Sequence, residues 1–278
     1  MGRICRFSIA AGLLLAHATM AWAQSPLRLG SVAMDIPAVM QQRLDPLTEY
    51  LSRTLDQTVE LRLSADMASA IEACSEATVD LSYLTPVAYV RTREHNPSAR
   101  LIAKTVTRGK DSFQLMIAVR WDSPIRRVDD LAGKRFAFGD RAALLQRAVV
   151  RGAGMPLDRL GAHEFVGHYD NIVRAVINGD FDAGILKDTM AYQWEDKGIR
   201  VIYASPDLPP YAIVACSGAA LSRYADLHNA FVGLDTGEPR DLDIIRALDP
   251  RYDGFAATDD EEYDIVRRLI APFRTNGT

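Results

Sequence analysis

The residues of this sequence able to hold or transform a small molecule gather at one kind of position, where a short apolar run ends and a helical pattern begins. His168 follows the run Glu164–Val166. A neutral imidazole there donates or accepts a hydrogen bond, and a protonated one pairs with an oxyanion. Tyr169 shares its loop, and Thr85, between the run Val79–Leu84 and Pro86, presents a hydroxyl beside the unsatisfied amides of a helix start. Lys187 and Asp188 follow Asp182–Leu186, Asp66 with Ser64 precedes the helical pattern Met67–Ser75, and Met34 with Asp35 follows Leu27–Val32. Arg141, after Arg135–Phe138, offers a guanidinium suited to bidentate contact with an anion. Each has a plain structural alternative: His168 and Thr85 as helix caps, Lys187 with Asp188 as a surface salt pair, and Asp35 in an exposed loop.

The chemistry these groups suit is capture, and the expectation is a protein that is not an enzyme. The sequence has no His-x-x-x-His pair, no Cys-x-x-Cys and no glycine-rich phosphate loop. Thr258 precedes Asp259, Asp260, Glu261 and Glu262, and a capped first turn whose acids complement the helix dipole accounts for that run. No metal and no cofactor are expected.

The elements that must position these groups belong to an exported chain. Arg3 and Arg6 precede an apolar run from Phe7 to Leu15, and Ala21-Trp22-Ala23 is a small-x-small cleavage pattern, so residues 1–23 read as a signal peptide. The run is shorter than the roughly 20 residues of a membrane span. Removing two arginines and no acids takes the formal net charge from −4 to −6, and no basic stripe remains to neutralise nucleic-acid phosphates. Cys5 leaves with the signal. Cys74 and Cys216 are too few for a disulfide scaffold, and their places in a helical pattern and an apolar strand favour buried free thiols, although the compartment permits pairing.

Short apolar runs at Leu27–Val32, Val59–Leu63, Val79–Leu84, Arg135–Phe138, Asp182–Leu186 and Arg200–Tyr203 alternate with helical patterns, among them Pro37–Leu55, Met67–Ser75 and Pro86–Arg93. This rhythm predicts an α/β protein with mostly parallel sheets flanked by helices. Phe113–Arg120 and Tyr211–Cys216 break the rhythm as apolar runs with no helix directly before them, which suits two crossover segments between lobes. Residues 24–115 and 215–278 would form one lobe, with 116–214 inserted as the other. Tyr224–Leu234 and Asp260–Ile270 have helical spacing and should pack onto the first lobe. The ligand then belongs in the cleft between lobes.

Several stretches together resemble the phosphate/phosphite/phosphonate-binding proteins of ABC transporters. They are Asp80 to Val90, Asp122-Ser123-Pro124-Ile125, Asp129 to Lys134, Phe136 to Asp140, Gly167 to Asn171 and Asn178 to Gly184, with Gly254-Phe255 and Asp260–Arg267 toward the end. Their order and spacing match the family over essentially the whole mature chain. The resemblance implies a type II periplasmic-binding fold that closes on a small solute, with His168 at the place of the family's ligand-contacting histidine. It implies a periplasmic protein whose partner is an ABC permease, or in the alternative the periplasmic domain of a receptor kinase, and the mature chain is expected to be a monomer. One stretch departs from the pattern. Where the family carries a Ser/Thr-rich turn that holds the oxyanion, this sequence has Asp140-Arg141-Ala142-Ala143-Leu144-Leu145-Gln146, without a hydroxyl.

Overall fold

The computed structural model describes residues 25–32 and 37–273, so the expected signal peptide and Met34 and Asp35 lie outside the described residues. In chain order the strands are β1 (Leu27–Val32), β2 (Val59–Ser64), β3 (Leu81–Leu84), β4 (Arg100–Thr107), β5 (Leu115–Arg120), β6 (Arg135–Phe138), β7 (Ala162–Phe165), β8 (Ala183–Lys187), β9 (Ile199–Ala204), β10 (Ala212–Ala215) and β11 (Tyr252–Ala256). They form two sheets, ordered β11-β4-β10-β3-β1-β2 and β7-β6-β8-β5-β9. Each sheet is mixed where the rhythm predicts mostly parallel strands. β1 runs parallel to β2 and β3, and β6 parallel to β7 and β8, through helical crossovers. The strands that enter without a crossover helix, β5 and β10 among them, pair antiparallel with their neighbours.

The chain passes between the sheets just ahead of those two strands. Phe113 and Leu208 exchange backbone hydrogen bonds of 3.0 and 2.8 Å, so the two passages brace each other as a short antiparallel hinge. Phe113–Arg120 and Tyr211–Cys216 are thus mostly sheet interior, and the crossings occupy the residues before β5 and β10.

Helices cover both sheets because their apolar residues recur on one face. Along α1 (Pro37–Leu55), Met40, Leu44, Leu47, Leu51 and Leu55 are buried at spacings of three and four. Full burial of each such leucine contributes about 1.5–3 kcal/mol. The remaining helices that matter for the site are α2 (Met67–Ser75), α3 (Pro86–His95), α4 (Leu144–Gly152), α5 (Tyr169–Asn178), α6 (Asp188–Trp194), α7 (Gly218–Ser222), α8 (Tyr224–Val232), α9 (Pro239–Leu248) and α10 (Asp264–Ile270). The last departs from expectation: α10 packs on α3 of the first lobe and also on α4 of the second. Tyr263, Val266 and Ile270 share a core with Leu145, Ala148 and Val149. The cap before this segment is Asp259, whose Oδ1 accepts from the amides of Glu261 and Glu262 at 3.0 and 3.1 Å; Thr258 does not take that role.

Cys74 on α2 and Cys216 beyond β10 form a disulfide with a Cα–Cα distance of 5.0 Å, which corrects the expectation of free thiols. Position in the helical and strand patterns could not show that these segments meet. Asn96 ties the same junction, its Nδ2 donating to the carbonyls of Cys74 (3.0 Å) and Cys216 (2.9 Å). Beside it the buried Asp80 accepts from the Arg28 amide (2.8 Å), Arg28 Nε (2.9 Å) and Ser217 Oγ (2.6 Å).

Candidate functional site

A cavity of about 400 Å³ opens between the lobes at the hinge. The first lobe contributes aromatic hydroxyls. Tyr83 is buried on β3, its hydroxyl 2.6 Å from that of Tyr252, and its ring stacks on Tyr211 at 5.0 Å. Burial pushes all three phenols above their ordinary pKa, so they remain neutral donors. Thr105 and Thr107 of β4 add hydroxyls to the wall.

In the same lining Arg251 clasps Asp249 through Nε to Oδ1 (2.9 Å) and Nη2 to Oδ2 (2.7 Å). Burial opposes ionisation of Asp249. Hydrogen bonds from Arg251 outweigh that effect and hold the carboxyl below its ordinary range.

The second lobe offers His168 and Tyr169 at the start of α5, and Lys187, Thr189 and Met190 where β8 gives way to α6. His168 occupies the position before α5 yet makes no side-chain cap hydrogen bond. Tyr169 is anchored through its hydroxyl to Gln146 Nε2 (3.4 Å), and the same amide accepts from the Gly139 N–H (2.7 Å). The fit leaves no room at Gly139. A β-carbon there would lie 2.8 Å from Gln146 Nε2 and 2.9 Å from the Gly167 carbonyl oxygen.

Lys187 places its ammonium 5.0 Å from the centre of the Phe113 ring. Burial lowers its pKa, and Asp188 partly offsets that effect. Asp188 is itself buried and held by the amides of Gln114 (3.2 Å) and Thr189 (2.7 Å). It lines a smaller cavity of about 200 Å³ that shares Lys187, Phe113 and Thr189 with the cleft and adds Lys110 and Tyr192.

Of the residues singled out in the sequence, His168, Tyr169 and Lys187 meet in the cleft, and Asp188 adjoins it. Thr85 lies elsewhere. Its Oγ1 accepts from the Ala88 amide at 3.1 Å as a helix cap, and it lines a different cavity with Ala142. Arg141 lays its guanidinium 4.6 Å from the centre of the Phe165 ring. Asp66 caps α2 by accepting from the Ser69 amide (2.8 Å), and that hydrogen bond holds its carboxyl below the ordinary range. Asp35 is outside the described residues.

Sequence reasoning missed Tyr83, Tyr211, Tyr252 and the Asp249–Arg251 pair. Tyr83 stands within the stretch Asp80 to Val90, but the wall it shares with Tyr252 depends on strand order. Among the described residues, no group of three or more His, Cys, Asp or Glu side chains could hold a metal.

Two mixed α/β lobes, a paired hinge and a polar cleft define a bilobed periplasmic-binding protein of the type II fold. The profile of the family described as ABC transporter, phosphonate, periplasmic substrate-binding protein matches residues 29–263, and the chain belongs to that family. It is accordingly a periplasmic solute-binding protein of ABC import, in a family whose members bind solutes without transforming them. The phosphate-import protein PhnD of Mycolicibacterium smegmatis is 24% identical over 271 residues, spanning 87% of this chain and 84% of that protein.

Solved structures share the fold, two of them as follows. PhnD1 of Prochlorococcus marinus in complex with methylphosphonate superposes with a TM-score of 0.69 at 18% identity, covering 89% of this chain and 97% of that one. A Xanthomonas citri protein bound to ATP gives a TM-score of 0.73 at 18% identity, covering 89% and 96%.

Proposed function

We propose that the cleft captures a compact phosphate-like oxyanion, held by Lys187 and His168 of the second lobe and enclosed by Tyr83, Tyr252 and Arg251 of the first, for delivery to an ABC permease. Lys187 is the observation that carries this reading. Its ammonium is withdrawn from water against Phe113, and its charged neighbour Asp188 already spends its oxygens on backbone amides. A cation so placed lacks part of its solvation, and an anion in the cleft restores it. One phenol of the Tyr83–Tyr252 pair donates to the other, and the remaining hydroxyl proton then serves an oxygen of the ligand. One relative points the same way, being named a phosphate-import protein.

Titration calorimetry with inorganic phosphate and phosphite, on wild type and on Lys187→Ala, tests the proposal. Saturable binding is expected in wild type. Loss of a charged hydrogen bond worth about 1.5–3 kcal/mol should weaken it roughly ten- to a hundredfold in the variant. Equal affinity in the two proteins would remove Lys187 from the site, and no response to either anion would remove the ligand class. Residues 1–23 are proposed to be cleaved on export, so the N-terminus of the periplasmic protein should be Gln24.

A further inference from the structure

A second cavity, of about 490 Å³, lies at the lobe seam among the first turns of α2, α3 and α4. It is lined by Thr85 and Arg91 from the first lobe and by Ala142 and Arg147 from the second, and no carboxylate is among the described residues that line it. Arg147 is half-buried on α4, and its Nε is fully buried without a hydrogen-bond partner. Its Nη2 donates to the Arg141 carbonyl at 3.0 Å, and both guanidinium groups lie over the Phe165 ring, at 4.6 Å for Arg141 and 5.6 Å for Arg147. Two cations therefore line the seam cavity from opposite lobes, Arg91 and Arg147, and Arg141 shares the Phe165 ring with Arg147. Burial, followed by the charges of Arg141 and Arg91, holds the Arg147 guanidinium below its ordinary pKa, as expected of a cation lacking a counter-charge. Arg91 and Arg147 repel each other across the seam, and an anion lying between them would offset that repulsion.

We propose that this seam cavity is a second oxyanion site, separate from the hinge-side cleft, in which a small multivalent oxyanion of the phosphate or pyrophosphate class bridges Arg91 of the first lobe and Arg147 of the second and so favours the closed arrangement. A tetrahedral oxyanion offers several acceptors to guanidinium groups arriving from opposite sides. Thr85, which caps α3 by accepting from the Ala88 amide, lines the same space. This site stands or falls independently of what the cleft binds.

The test uses the chain without residues 1–23 and with the cleft impaired by Lys187→Ala. Calorimetric titration with inorganic pyrophosphate at low ionic strength is compared among this parent, Arg91→Gln and Arg147→Gln, each made in that background. Saturable binding is expected in the parent, with at least a tenfold loss in either arginine variant, and small-angle scattering should show the parent contracting on adding pyrophosphate. Arg91 is exposed on α3, so Arg91→Gln carries the comparison if melting shows that Arg147→Gln does not fold. Binding that vanishes with Lys187→Ala alone would assign all anion binding to the cleft and overturn the proposal. Unchanged affinity in Arg91→Gln would overturn it as well.

Discussion

Breaking the Cys74–Cys216 disulfide should remove a large part of the folding free energy without displacing any element. The bond links α2 to the end of β10 across 142 residues, and the loop it closes contains the whole second sheet. For a loop of that length the chain-entropy relation gives about 5 kcal/mol at 25 °C, with roughly 2–5 kcal/mol the usual cost of losing a native bond. The native geometry is held independently of the bond by Asn96, which donates to both cysteine carbonyls, and by Asp80, whose carbonyl accepts from the Cys216 amide at 2.8 Å. The perturbation therefore acts chiefly on the unfolded chain, in a protein whose total stability is of order 5–15 kcal/mol. Urea unfolding of the oxidised protein, the reduced protein and Cys74→Ala/Cys216→Ala separates the bond from the volume of the two sulfurs. Expected are a loss of about 3–5 kcal/mol on reduction and a larger denaturant slope, because the freed chain exposes more surface. Two free thiols in the unreduced protein, or a loss below about 1 kcal/mol with an unchanged slope, would refute the reasoning.

Asp80→Ala should cost roughly 2–4 kcal/mol, since it strands Arg28 and Ser217 beside a buried site, and thermal melts will read it. Burial works against the Asp80 carboxylate, but hydrogen bonds from Arg28 and Ser217 lower its folded pKa. Its contribution is therefore complete above the unfolded value near 4 and lost as pH falls through the folded one, so wild type should lose its advantage over Asp80→Asn in acid melts below about pH 4. His168→Ala should weaken ligand binding with little change in melting, because His168 makes no cap hydrogen bond. Thr85→Ala should cost about 1 kcal/mol of stability and leave affinity for the cleft ligand nearly intact; the reverse pattern in paired titrations and melts would exchange their roles. Methylphosphonate and 2-aminoethylphosphonate should bind weakly, since the turn after β6 has no hydroxyl and its amides are internally engaged, Ala142 to Asp140 Oδ1 (2.7 Å) and Ala143 to the Asp140 carbonyl (2.9 Å). Submicromolar calorimetric affinity for either would contradict this.

The helices and parallel strands were legible because their signals are local. Pro37–Leu55 and Met67–Ser75 end where their apolar spacing and caps end, and β1 and β6 coincide with their apolar runs. β4 and β11 escaped notice. Their strand character comes from pairing, that of β4 with β10 and β11 and that of β11 with β4, and β4 buries Lys104, which interrupts the apolar run and is neutralised by Glu262 and Asp111. The mixed sheets have a related cause. Antiparallel entry of β5 and β10 reflects the hinge returning the chain from the other lobe, a relation between distant segments that no local period encodes.

The same distinction governs the cleft. Residues at a strand's end before a helix are visible as a type of position, and His168, Tyr169 and Lys187 were found that way. Yet the rule gives one shortlist for every such junction and cannot say which junctions face each other. Thr85 obeys it as well as His168 does, but α3 turns its first turn toward the seam with α4, whereas α5 and α6 open toward the hinge. The opposing wall comes from β3, β4, the hinge and the segment after α9. Its phenols converge only because β10 lies between β3 and β4 and β11 flanks β4. Tyr83 and Tyr252, 169 residues apart, then meet hydroxyl to hydroxyl. On the proposed reading, a ligand at Lys187 is met by groups whose nearness is set by sheet order, so changing Tyr252 should alter selectivity as directly as changing His168, although nothing local in the sequence marks Tyr252.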